Sequence, residues 1–263
     1  MRHAHRYPGA AIEAEGALAL ALWDAGARAV AEEEGDLVGY FDDRVPLPGG
    51  GAWEDVDERD YVAEYFAGLE AVDVGPLVVA PTHRPVTLQP GQRVLWLDPG
   101  MAFGTGHHET TRLVLEALGA LDLVGARVLD VGAGSGVLAI AADLFGAAEA
   151  DGVDIDPDTL PVARANARLN RSRARFSCEG FGAAAPGEAY DVVVANLVAE
   201  AHVDLMDAYV GAVRPGGALV LSGIVDERAD MVVEAVKPPF VLVERRRAGS
   251  WWAMRLAREP VVG

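Results

Sequence analysis

The sequence predicts an α/β protein: a doubly wound, mostly parallel sheet preceded by a small α+β unit. Three observations carry this prediction. Val128-Leu-Asp-Val-Gly-Ala-Gly-Ser-Gly136 reads as strand, tight glycine turn and helix start, and Val137–Ala142 continues as helix. Strand-like runs at Ala150–Ile155, Tyr190–Asn196 and Ala218–Ser222 alternate with helical patterns, which places those strands parallel. Phe240–Arg245 and Trp251–Leu256 form a closing hairpin around Gly249, so one edge of the sheet is antiparallel.

The chain has 263 residues, 51% of them hydrophobic, which is ample for a core without demanding two domains. Cys178 is the single cysteine, so an internal disulfide and a thiolate metal cluster are both excluded. No apolar run reaches membrane-spanning length, and Met1-Arg-His-Ala-His-Arg-Tyr-Pro8 lacks the apolar centre of a signal peptide. A soluble, cytoplasmic, monomeric protein is expected. The net charge is −18, and residues 1–70 hold 16 acids against 5 arginines, a net of −11. Such a surface disfavours contact with a nucleic-acid backbone. It serves either solubility or the steering of a basic partner.

In chain order, residues 1–52 read as the small α+β unit. A helix is expected over Ala11–Ala25, with Ile12, Leu18, Leu20, Leu22 and Trp23 toward the core. Strands follow at Ala29-Val30 and Leu37–Phe41, joined by the acidic turn Glu32–Asp36. Residues 53–75 read as a connecting segment, helical from Trp53 to Val72, and residues 76–263 as the main domain. Leu77–Ala80 and Arg93–Leu97 are strands, with the three-proline segment Pro81–Gly91 read as a hairpin loop between them.

Asp98-Pro-Gly-Met-Ala-Phe-Gly-Thr-Gly-His-His-Glu-Thr-Thr111 then forms a glycine-rich loop running into a helix over His107–Gly119. Thr110 and Thr111 in its first turn offer hydroxyls to a ligand. His107 and His108 are adjacent and point about 100° apart, so they do not chelate as residues spaced by one turn do, and no metal is expected. Further helices are expected from Asp156-Pro157 to Asn170, with Asp156 as cap, over Leu197–Val213 and over Asp226–Val236.

The glycine turn carries the chemistry. Gly132, Gly134 and Gly136 let a ligand approach the main chain, and the following helix start offers free N–H groups. The pattern departs from the dinucleotide fingerprint, since Val137 follows Gly134 by three. Asp130 just before the turn repels a pyrophosphate and attracts an ammonium, a group that S-adenosylmethionine carries. Asp154 follows Gly132 by 22 positions, one strand-helix-strand unit on, where an acid accepts ribose hydroxyls. Asn196 ends a strand at the side of such sheets where ligands bind.

The motifs Asp98–Thr111, Asp130–Gly136, Asp154-Ile-Asp-Pro157 and Asn196-Leu197, in this order and spacing, resemble the bacterial methyltransferases of ribosomal protein L11, the PrmA family. The likeness is strong from Leu77 onward and weak over residues 1–70. It implies a seven-stranded class I methyltransferase fold, Rossmann-like, with a ferredoxin-like domain in front that holds the ribosomal protein. It implies S-adenosylmethionine as cofactor, contacted by Thr111, Gly132, Asp154 and Asn196; the reading of the glycine turn and its flanking acids adds Asp130, Gly134 and Asp156 to the expected cofactor site. Phe103, followed by Gly104 and Gly106, takes the position of the family's lid over the cofactor. The implied reaction is methylation of lysine ε-amines and the N-terminal α-amine of L11, with Asn196 aiming the amine. Family linkers tend to carry tryptophans where this chain has Tyr61 and Tyr65, and many amine methyltransferases carry Asn-Pro-Pro-Tyr where it has Asn196-Leu-Val-Ala199. A small-molecule methyltransferase and a non-catalytic cofactor-binding assembly factor are the alternative readings.

Overall fold

The computed structural model describes residues 3–10, 17–55, 68–98, 106, 108–178, 180–181 and 189–260, in two compact units divided between Glu64 and Tyr65.

The first unit contains β1 (His3–Tyr7), α1 (Ala17–Asp24), β2 (Ala29–Glu33), β3 (Asp36–Phe41) and β4 (Ala52–Asp55). The sheet order is β2-β3-β1-β4, with all neighbours antiparallel. That is the strand order of a ferredoxin-like sheet, but the stretch Asp42–Gly51 before β4 holds no helix. Leu22, Leu37, Phe41 and Tyr7 form its core. Two expectations need correction here. Trp23 is 51% exposed, because consecutive helical positions diverge by about 100° and Leu22 takes the inward one. Trp53 does not open a connecting helix. It lies in β4, opposite His5 of β1, and its ring packs edge-on against His5 and Phe41 at 4.8 and 5.3 Å. These contacts draw Ala52–Asp55 into the sheet, so the unit runs past residue 52. Ile12, the side chain of Leu20, Tyr61 and Tyr65 lie outside the described residues.

The second unit opens with a three-stranded sheet, β5 (Val72–Val74), β6 (Leu77–Pro81) and β7 (Arg93–Leu97). β6 and β7 are parallel, not a hairpin. Arg93 N–H donates to Pro76 O at 3.0 Å and Gln92 Nε2 to Gly75 O at 2.8 Å, which brings the start of β7 beside the start of β6.

After α2 (Glu109–Gly119) comes a sheet of seven strands: β8 (Arg127–Val131), β9 (Glu149–Val153), β10 (Arg175–Ser177), β11 (Tyr190–Asn196), β12 (Val213–Val225), β13 (Phe240–Ala248) and β14 (Trp251–Arg258). The order is β10-β9-β8-β11-β12-β14-β13, parallel except for β14, which is antiparallel to both of its neighbours. The helices α3 (Val137–Leu144), α4 (Thr159–Leu169), α5 (Ala199–Ala212) and α6 (Ala229–Ala235) connect these strands. Alternate strand residues feed two cores. Val128, Val192, Val194 and Val220 face Ile140 and Leu118, while Leu129, Val193, Leu219 and Leu221 face Met206 and Tyr209. A sheet buried on both faces explains why these strands read as unbroken apolar runs.

Helix starts differ from expectation: α2 begins at Glu109 behind its cap His108, and α6 at Ala229 behind a 3-10 turn over Asp226–Arg228. α4 begins at Thr159, because Asp156 Oδ1 accepts the Asp158 N–H at 2.9 Å and builds a turn ahead of the helix instead of capping it. Pro161 is then its third residue, where an N–H has no intrahelical acceptor. α5 begins at Ala199, because Leu197 N–H is taken by Ser222 O at 3.0 Å. Among the described residues no helix is long and apolar enough to cross a membrane.

Candidate active site

Strand order reverses between β8 and β11, and the crevice beyond the carboxyl ends of such strands is where open α/β sheets bind ligands. Asp130 lies at the end of β8 and Asn196 is the last residue of β11. Asp130 is fully buried on the face that carries Val128 and α3. Its Oδ2 accepts the Ala139 N–H at 3.2 Å, and its Oδ1 is buried without a hydrogen-bond partner among the described residues. Burial pushes the carboxyl pKa up to about 7, with the Ala139 N–H opposing and the charge of Asp154 adding to the shift.

The glycine turn hangs on β9. Gly132 and Ala133 N–H donate to Val153 O at 2.9 and 3.1 Å. Gly134 N–H donates to Asp154 Oδ2 at 2.8 Å, and Asp154 Oδ1 accepts the Asp156 N–H at 3.0 Å. Gly132 and Gly136 have φ of 76° and 80°, a region that side chains disfavour. A Cβ on Gly132 would lie 2.5 Å from Leu197 Cδ2, and one on Gly136 2.7 Å from Phe176 Cζ.

Asn196 joins this cluster to α2. Its Nδ2 donates to Thr110 Oγ1 at 3.1 Å and to Thr111 Oγ1 at 3.3 Å, and both threonines are buried. With that edge of the amide engaged, Oδ1 lies on the opposite edge as an acceptor. His108 caps α2: its Nδ1 accepts the Thr110 N–H at 3.3 Å and lies 2.8 Å from Thr110 Oγ1. Since Thr110 Oγ1 takes the Asn196 hydrogen, its own proton goes to His108 Nδ1, so that nitrogen is unprotonated.

The structure therefore brings Asp130, Gly132, Gly134, Asp154, Thr111 and Asn196 to one end of the sheet, linked by backbone bonds and by Leu197 over Gly132. The Asp156 carboxylate is occupied with the turn before α4. Gly106, at φ 78°, packs against Val79 of β6, and no described contact ties it to that cluster. Phe103, Gly104 and His107 lie outside the described residues. Sequence reasoning missed Ile155, which is 81% exposed between Asp154 and Asp156. An apolar residue set between two acids, Asp154 and Asp156, was the available signal.

Chemically, a buried carboxylate oxygen, a second carboxylate and a glycine-lined main chain suit a ligand with a cationic end and hydroxyls. A dianionic pyrophosphate would meet Asp130 and Asp154. These donors and acceptors fit a nucleoside that carries a free amino acid, such as S-adenosylmethionine.

The family model described as ribosomal protein L11 methyltransferase (PrmA) matches residues 19–259. The ribosomal protein L11 methyltransferase of Deinococcus radiodurans is 46% identical over 252 residues, covering 90% of this chain and 92% of that one. Its counterpart from Thermus thermophilus is 44% identical over 239 residues, with the same coverages of 90% and 92%. A solved ribosomal protein L11 methylase from Lactobacillus delbrueckii subsp. bulgaricus superposes with a TM-score of 0.66 at 29% identity, over 73% of this chain and all (100%) of that one.

Proposed function

The chain belongs to the ribosomal protein L11 methyltransferase family, and we propose that it methylates lysine ε-amines and the N-terminal α-amine of ribosomal protein L11. The cofactor is S-adenosylmethionine, which supplies a methyl group on a sulfonium that is already a good leaving group.

The chain's own task is to bind and orient. Asp154 and the Gly132–Gly134 backbone hold the nucleoside end, with Asp154 accepting the ribose hydroxyls. Asp130 Oδ1 faces the cationic amino group, and Thr111 and Asn196 line the pocket at its reacting end. The exposed side chain of Ile155 offers an apolar surface to the base. The observation that carries the reading is the engaged Nδ2 of Asn196, which leaves Oδ1 to accept an N–H from the incoming amine and aim its lone pair. A lysine amine has an ordinary pKa of about 10.4, and burial beside a positive sulfonium favours its neutral, reactive form. Proximity and orientation are worth up to about 7–11 kcal/mol in the best intramolecular models, so a fixed amine needs little further help.

In this reading the first unit, residues 1–52 extended through β4, recognises the substrate, and its acidity steers the basic ribosomal protein. The following residues to 75 act as linker, and residues 76–263 carry the transfer. Phe103, with Gly104 and Gly106, serves as a lid that excludes water. The protein works as a cytoplasmic monomer without touching nucleic acid directly. The test is mass spectrometry of purified L11 after incubation with the enzyme and S-adenosylmethionine. Mass increments on lysine and N-terminal amines are expected, and their absence would refute the assignment.

A further inference from the structure

His202 of α5 is fully buried, as are Tyr209 and Ser222 around it. Its Nε2 lies 2.8 Å from Ser222 O and its Nδ1 3.2 Å from Tyr209 Oη. A carbonyl only accepts, so Nε2 carries the proton and Nδ1 receives the Tyr209 O–H. Burial keeps the ring neutral, with its pKa held down to about 4 against the opposing hydrogen bonds to the backbone of Ser222 and of Leu197.

The same Ser222 O also takes the Leu197 N–H at 3.0 Å. Ser222 is the register partner of Asn196 on the neighbouring strand. It stands where the pairing of β12 with β14 shifts register, between Leu221 and Ile224. A bulge of this kind bends a strand and re-aims its groups beside a site. The next residue, Gly223, has φ 85°, and a Cβ there would lie 2.3 Å from Leu197 O. The Leu197 peptide is thus held on one side by Ser222 O and on the other by the bare Gly223, while its side chain lies against Gly132. His202 is the second donor on the carbonyl that anchors this peptide.

We propose that His202 is a positioning residue for methyl transfer, acting through Ser222 to fix the Asn196-Leu197 peptide and so the place of the Asn196 amide. This rests on the reading that Asn196 aims the amine.

The test compares the full-length wild type with His202→Leu, His202→Gln and the double variant His202→Leu, Tyr209→Phe. The double variant replaces both polar partners with apolar groups and keeps the core filled, so it folds even if the single change does not. Three quantities are measured: hydrogen exchange of the Leu197 amide in cofactor-free protein, calorimetric affinity for S-adenosylhomocysteine, and kcat and KM for ribosomal protein L11. Faster exchange at Leu197 is expected in the Leu and double variants, with the Val193 and Leu219 amides unchanged. Their kcat should fall at least about tenfold at unchanged KM and cofactor affinity, as misorientation without lost binding requires. His202→Gln retains an N–H donor and should recover both exchange and kcat. Unchanged Leu197 exchange, or equal losses in kcat, KM and cofactor affinity, would overturn the positioning role. Wild-type kcat in Asn196→Ala would instead overturn the amine-aiming reading and leave the exchange result standing.

Discussion

Asp154 accepts the Gly134 N–H through Oδ2 at 2.8 Å, so the carboxylate expected to hold the ribose also holds the glycine turn. Its second oxygen takes the Asp156 N–H at 3.0 Å. From sequence, Asp154 is a ligand contact alone, and its loss leaves folding untouched. The structure changes that expectation. Hydrogen bonds to a charged acceptor are each worth about 1.5–3 kcal/mol. Asp154→Ala should weaken S-adenosylmethionine binding about tenfold or more, and should also lower the melting temperature of the cofactor-free protein. Calorimetry and thermal denaturation check the two halves separately, and unchanged cofactor affinity would remove Asp154 from the ribose site.

Asn196→Ala should lower kcat about 10²-fold, the scale on which misplacement of a reacting group acts. Thr110→Val removes one of the two acceptors that orient the amide and should give a smaller loss in the same direction. Steady-state kinetics on L11 decide this, and wild-type turnover in Asn196→Ala would refute its role.

Gly132→Ala and Gly136→Ala should differ. Both place a side chain at positive φ, at a cost of about 1–2 kcal/mol. At Gly132 the new methyl meets the far end of the Leu197 side chain, which can rotate, so the loss should fall mainly on cofactor affinity. At Gly136 it meets the Phe176 ring and Ala163 Cβ, and overpacking adds about 1–3 kcal/mol. Denaturant midpoints should therefore drop clearly further for Gly136→Ala.

The Asp130 carboxyl, raised to about 7, makes stability depend on pH. Its folded pKa lies above the unfolded value of 3.8, so the folded protein binds the extra proton between these limits. Its contribution is fully present below the unfolded pKa and is lost as pH rises through about 7. Wild type should accordingly lose stability relative to Asp130→Asn, on the order of a few kcal/mol, between about pH 4 and 7. A ligand ammonium favours the carboxylate, so S-adenosylmethionine should bind wild type more tightly at pH 8 than at pH 5, and the variant without that trend. A stability difference between the two proteins that is flat with pH would contradict the assignment.

A variant comprising residues 65–263 should bind S-adenosylmethionine with the affinity of the whole chain and methylate intact L11 poorly. Full activity would show that the acidic first unit serves solubility alone.

What the sequence determined by itself is local. The positive-φ glycines of the β8–α3 turn, the unbroken Val192–Ala195 run and the threonines of the first turn of α2 are visible because neighbouring residues set backbone freedom and strand burial. Tertiary structure alone decided which of these groups meet. Thr110 reaches Asn196 across 86 positions, and Ser222 anchors Leu197 only because β11 and β12 are neighbours in register. The same dependence turned the Pro81–Gly91 hairpin into a parallel crossover and drew Trp53 from a linker into β4. His202 left no sequence signal, since its partners are the Ser222 carbonyl, the Leu197 backbone and the Tyr209 hydroxyl, and a buried imidazole selects such partners only after the sheet has placed them.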